Sequence, residues 1–157
     1  MDIALGEEIA LVRVSPGESI HAAVLDAFEQ SGRRFTTVVS MIGSLQYVDW
    51  GIASCDTEGI PGPGARKQRR EAIEIGGIQG HVGVDAEGGP SCHLHGVMFD
   101  AHGQCIGGHI FVGEVLITVE FALVGGANVL WNRFFASING SGPLPLLGPA
   151  SHLEIQS

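Results

Sequence analysis

The sequence predicts a single domain of many short β-strands with one main helix, and three observations carry that reading. The chain has 157 residues, of which 24 are glycine. Most of the glycines punctuate short apolar runs, a pattern of strands and turns rather than of a helical bundle. Hydrophobic residues make up 45% of the chain, enough to give a protein of this length a core. One stretch, Ser15 to Gly32, combines helix-start chemistry with a helical apolar period.

Taken in order, Glu8 to Val14 reads as a strand. Ser15-Pro16-Gly17-Glu18 then reads as a helix start, with Ser15 as the cap, Pro16 in the first turn and Glu18 completing a capping box. Ile20, Ala23, Val24, Ala27 and Phe28 form an apolar stripe, and Gly32 ends the helix. His21 lies off the stripe and is expected to be a solvated surface residue. Phe35 to Met41, rich in Thr and Val, is a strand. Ile42 to Leu45 is a break or bulge, and Gln46 to Ser54 resumes the strand. Asp56 to Ala65 is a Pro/Gly loop, closed by the cationic run Arg66 to Arg70, which is expected to be a solvated loop end. Glu71 to Gln79 is a strand with a kink or bulge at Gly76-Gly77. His81 to Asp85 continues or pairs with it, and Asp85 to Pro90 is a tight polar turn.

The stretch Ser91 to Glu114 carries the chemistry. It reads as a β-hairpin whose loop is Ala101, His102 and Gly103, a type I turn with a glycine bulge. That loop sets Asp100 opposite Gln104, Phe99 opposite Cys105, Val97 opposite Gly107 and His95 opposite His109. Alternation puts His93 and His95 on one face, ~7 Å apart, with His93 the diagonal neighbour of His109. Three neutral imidazoles converging on one spot are a ligand set for a zinc-like ion, with one position left for water or substrate. Cys92 faces the other side by parity. Cys105 shares the face but lies ~13 Å from His109 at strand rise, too far to be a ligand.

Val115 to Val124 is the longest strand candidate. Within it Glu120 is either a hydrogen-bond acceptor or proton shuttle near the metal, or a solvent-facing residue of an edge strand. Glu120 is therefore the catalytic candidate, with His81 a second candidate acid or base. Asn128 to Ile138 is aromatic and fits either strand or helix. Asn139 to Pro149 has no period and reads as part of a Gly/Pro-rich tail, residues 139–157, draped over the domain or over a neighbouring subunit.

Charge and cysteine content narrow the function classes. The formal net charge is −9, which opposes binding to nucleic acid and to anionic membranes. No apolar run reaches the length of a membrane span, and the acidic start MDIALGEE has no signal-peptide pattern. Three cysteines without paired spacing suggest free thiols in a reducing compartment, with the cytoplasm as the expected location.

The order of RVSPGESI, VVSMIGSLQYV, EAIEIGGIQGHV and HLHGVMFDAHGQCIGGHIFVGEVLITVE resembles the plants-and-prokaryotes-conserved (PPC) domain over about Glu8 to Val124. The ordered HxH and GGH motifs are its most specific part. One departure is Ala72-Ile73, where plant members usually carry an aromatic before the glutamate. The resemblance places residues 1–138 in one such domain. It implies an α+β fold with a strongly curved, largely antiparallel, barrel-like sheet and one main helix, and it implies a homotrimer. It also implies metal ligation by His93, His95 and His109, and a structural kinship with acetolactate decarboxylase and a three-histidine zinc ester hydrolase. Plant members bind DNA through a separate AT-hook, and no such Arg-Gly-Arg-Pro segment occurs here. Three functions compete: a zinc or other divalent-metal site that binds or transforms a small molecule or anion, a DNA-associated regulatory module, and a structural trimer with a vestigial site.

Overall fold

The computed structural model describes residues 1–5, 9–85, 87–125, 131–138, 140–141 and 144–149. In chain order the elements are β1 (Asp2–Leu5), β2 (Ile9–Val14), α1 (Ile20–Ser31), β3 (Phe35–Gly51), β4 (Ser54–Cys55), β5 (Pro61–Gly62), β6 (Arg66–Arg69), β7 (Ile73–Val84), β8 (Pro90–Phe99), β9 (Cys105–Val124), β10 (Trp131–Ala136) and β11 (Leu144–Pro149). One sheet runs β1-β2-β9-β3-β7-β10-β11, with β6 on β3 and β8 bridging β7 and β9. Strands β3, β9, β8 and β7 therefore close on themselves in a ring. Its pairings are all antiparallel. This is the curved, partly closed α+β architecture expected.

Curvature comes from interruptions in the two long strands. The β3–β9 register shifts at Val39/Ile42, Gly43/Leu45, Leu45/Tyr47 and Asp49/Trp50, and Ser40 takes a positive φ of 53°. Each extra residue bends its strand and increases local twist, so Ile42 to Leu45 is a set of bulges inside one strand and not a break. The register also slips between Ile75 and Gly77 in β7, where the Gly76-Gly77 bulge was expected.

Helix α1 lies in the bend. Its buried residues are Ile20, Ala23, Val24, Ala27 and Phe28, the stripe read from the sequence. Burying a side chain such as Ile20 or Phe28 contributes about 1.5–3 kcal/mol. Gly32 ends the helix at φ 63°, its N–H donating to the Glu29 carbonyl at 3.1 Å. The start differs from expectation. Ser19 is the cap, its hydroxyl accepting from the Ala22 N–H at 3.4 Å. Glu18 instead accepts from the Ser15 N–H at 2.7 Å, so Ser15 to Glu18 is a closed turn before the helix. Gly17, with φ 81°, sits where a helix could not have begun.

Three further segments are specified beyond the sequence reading. The cationic run forms β6, paired with β3 from Val48↔Arg69 to Gly51↔Arg66; its side chains are exposed, as expected, but its backbone is an edge strand. Trp131–Ala136 is a strand, which resolves the aromatic ambiguity. Leu144–Pro149 pairs antiparallel with it, so this part of the expected tail is a hairpin arm. No helix among the described residues is long and apolar enough to cross a membrane.

Candidate metal centre

The site is built by the β8–β9 hairpin. Asp100 makes its turn: the carboxylate Oδ1 accepts from the His102 and Gln104 N–H groups, each at 2.9 Å. Gly103 takes φ 76° and donates to the Asp100 carbonyl at 2.8 Å. The Gln104 N–H, seconded by that of His102 and by the charge of Arg69, holds the buried Asp100 carboxyl below the usual range. The turn fixes the ladder Phe99↔Cys105, Val97↔Gly107 and His95↔His109, the register read from loop length.

Leu94, between the first two histidines, is fully buried in the core. Alternation then turns His93 and His95 to the outer face. The ring centroids of His93, His95 and His109 lie 4.7 to 5.3 Å apart. One ligand nitrogen from each can be chosen so that all lie within 4.8 Å of one another, and the Nε2 atoms of His93 and His95 are 2.9 Å apart. A tetrahedral ion with bonds of ~2.0–2.1 Å needs its ligand nitrogens roughly 3.4 Å apart. The 2.9 Å pair is a little tight and the widest pair a little loose, differences that small ring rotations remove. Neutral imidazoles with no carboxylate among them suit zinc or a similar borderline ion rather than magnesium or calcium.

The other candidates are placed apart or differently. Glu120 is exposed on a distant part of β9. It faces Arg13 in the β2–β9 ladder, and its Oε1 accepts from the Thr118 hydroxyl at 2.9 Å; it does not join the histidines. Cys92 packs against the core and Cys105 is exposed, and neither belongs to the cluster. His21, expected in solvent, is half-buried, with Nε2 donating to the Ile110 carbonyl at 2.9 Å. His81 lies beside the cluster, opposite His93 across β7–β8. Its Nδ1 is 3.4 Å from Thr37 Oγ1, and its ring stacks on Phe35 at 5.6 Å. The signal for this placement was in the sequence. The Asp85–Pro90 turn sets Val84 opposite Pro90, and counting back sets His81 opposite His93.

Two further residues at the site were not singled out for it in the sequence, although parity along β9 puts Phe111 on the face of His109. Phe111 packs 4.4 Å from His109 by ring centroid, and the Arg66 guanidinium lies over the Phe111 ring at 4.1 Å. Arg66 is itself held by buried Asp49, through contacts of 3.1 and 2.5 Å. That hydrogen bond, aided by Gln68 and opposed by burial, keeps the Asp49 carboxyl below its ordinary range. Arg69 lies 3.6 Å from Glu71 and 3.8 Å from Asp100, and Arg70 lies 3.7 Å from Glu114. The arginines of the cationic run are thus neutralised by carboxylates of the same fold.

Comparison with known proteins agrees with this architecture. A candidate DNA-binding protein of Bacteroides thetaiotaomicron is similar with a TM-score of 0.76 at 14% identity, covering 94% of this chain and 96% of its own. A metal-containing protein of Archaeoglobus fulgidus is similar with a TM-score of 0.69 at 22% identity, covering 91% and 94%. A plant- and prokaryote-conserved (PPC) protein of Pyrococcus horikoshii is similar with a TM-score of 0.68 at 20% identity, covering 91% and 93%. At these identities the likeness is one of fold. No curated protein matches the chain. The profile of the Plants and Prokaryotes Conserved (PCC) domain matches residues 1–125, and the chain belongs to that family.

Proposed function

We propose that this PCC-domain protein holds one divalent ion, zinc by its ligand chemistry, on His93, His95 and His109, and binds a small molecule at the position left open. The observation that carries the reading is the convergence of three imidazole nitrogens within 4.8 Å on one face of a hairpin. The metal-containing Archaeoglobus neighbour supports it. An ion held by three neutral ligands polarises a bound oxygen or activates water. A structural assembly with a vestigial site is the competing reading, and bound metal separates the two. DNA association draws support from the Bacteroides neighbour. Against it stand the net charge of −9 and the carboxylate partners of Arg66, Arg69 and Arg70.

Elemental analysis and zinc titration of protein purified without a histidine tag test the proposal. One zinc per chain is expected. Replacement of His95 by Ala should lower zinc affinity by more than about 100-fold, since even residues that only orient a ligand are worth 10–100-fold. The far-UV spectrum should not change, because the His95 side chain is exposed. Affinity should fall as the pH is lowered, because protons compete with the ion for the ligand nitrogens. Negligible metal content, together with no response of the melting temperature to added zinc, would sink the reading.

A further inference from the structure

Two cavities of unlike chemistry flank the histidine cluster. On the β7 side, Thr37, Gln79, Gly80 and His81 line about 360 Å³ together with His93 and His95. On the other side, Phe111, Ile52, Pro61 and Pro63 are among the residues lining about 330 Å³ against all three histidines. Both volumes fall in the range of small-molecule sites.

Strand register creates this arrangement. On β7, His81 stands opposite His93 and Gln79 opposite His95, and on β3 Thr37 stands opposite His81. Residues two apart share a face and strands lie ~4.8 Å apart, so Thr37, His81 and Gln79 extend the histidine face in one direction. Thr37 and Phe35 orient the His81 ring. In the other direction the face ends on Phe111 and the Pro/Gly loop. Gly64 of that loop packs closely: a Cβ there would stand 1.8 Å from the Ile52 carbonyl oxygen.

Resting on the metal reading above, we propose that the ligand of this site is a monocarboxylate with a short apolar chain. A divalent ion on three neutral imidazoles keeps both positive charges, and the cluster contains no carboxylate to offset them; an anionic oxygen supplies the compensation. The Gln79 amide and the His81 ring, with Nδ1 accepting from the Thr37 hydroxyl, can donate to the second carboxylate oxygen. The chain then lies against the apolar surface of Phe111, Ile52 and the prolines, which covers hydrocarbon better than a polar end.

Calorimetric titration of the zinc-loaded full chain with acetate, butanoate, hexanoate, hexan-1-ol and hexylamine tests this. Affinity should rise from acetate to hexanoate by about fourfold for each methylene buried. The alcohol and the amine should bind at least about tenfold more weakly than hexanoate. Gln79→Ala and His81→Ala should each weaken hexanoate about tenfold while zinc affinity stays within about twofold. Gln79 is exposed, so its variant keeps the test valid if His81→Ala folds poorly. Phe111→Ala should flatten the dependence on chain length. If zinc binds but hexanoate is held no more tightly than acetate, or the Gln79 variant binds it unchanged, this inference is overturned and the metal reading stands. If zinc itself does not bind, both fall.

Discussion

The imidazole of His21 sits half-buried beneath β9, one nitrogen donating to the Ile110 carbonyl at 2.9 Å and the other buried without a hydrogen-bond partner among the described residues. Burial pushes its pKa below the ordinary value, and the Ile110 bond opposes the shift only in part. A proton added at Nδ1 would be a charge in a site that offers it no acceptor. The unfolded chain takes that proton near pH 6.5 and the folded chain only at lower pH. Stability is therefore full above about pH 6.5 and declines as the pH falls below it. Replacement by Gln keeps a donor for Ile110 and removes the titration. Urea unfolding of metal-free protein between about pH 5 and 7.5 should show a shallower decline in His21→Gln than in the parent. The difference is at most about 1.4 kcal/mol per pH unit for one proton. Parallel curves would refute the assignment.

Among the elements, the close pairing of β7 with β8 is what brings the polar neighbours of the histidines into place. Gly80 permits it: a Cβ there would lie 1.8 Å from the His93 carbonyl oxygen. That clash is with backbone, so relief requires the two strands to part just where His93 is presented. Gly80→Ala should lower stability by about 1–3 kcal/mol and weaken zinc binding with it. Gly77, in the bulge of the same strand, would meet nothing within 4 Å, and Gly77→Ala should stay within about 0.5 kcal/mol. Thermal melts and zinc titrations of the two variants check this, and equal behaviour of the pair would contradict it.

At the scale of the whole molecule, charge and exposed apolar surface make different demands. A net charge of −9 repels a phosphate backbone at long range, and Arg66, Arg69 and Arg70 already have carboxylate partners. Gel-shift retention of duplex DNA at about 150 mM salt should be absent; sequence-selective retention there would overturn this view. Leu11 and Ile42 are 55% and 53% exposed and line one shallow apolar surface across β2, β9 and β3. Contiguous surface of this kind marks association sites. With the family resemblance it supports the proposal that the chain assembles as a homotrimer. Light scattering should give three times the chain mass, and a monomer at micromolar concentration would exclude assembly.

What the sequence determined by itself was local. Parity put His93 and His95 on one face, the length of the Ala101–Gly103 loop set His95 against His109, and the stripe from Ile20 to Phe28 identified the helix, because each depends on only a few consecutive residues. Where two local rules competed, the fold chose: Ser15 to Glu18 offered a capping box, yet the chain placed the cap at Ser19, where the stripe could reach the core. Apart from His81, which the Asp85–Pro90 turn sets opposite His93, tertiary structure decided what faces the histidines from outside their hairpin. The Arg66 cover on Phe111 depends on β6 pairing with β3, and Thr37 meets His81 because β3 pairs with β7 along one edge. Glu120 shares a strand with His109 but not its neighbourhood, and His21 is buried rather than solvated. In each case the deciding contact joins residues far apart in the chain, and no period or turn length encodes that pairing.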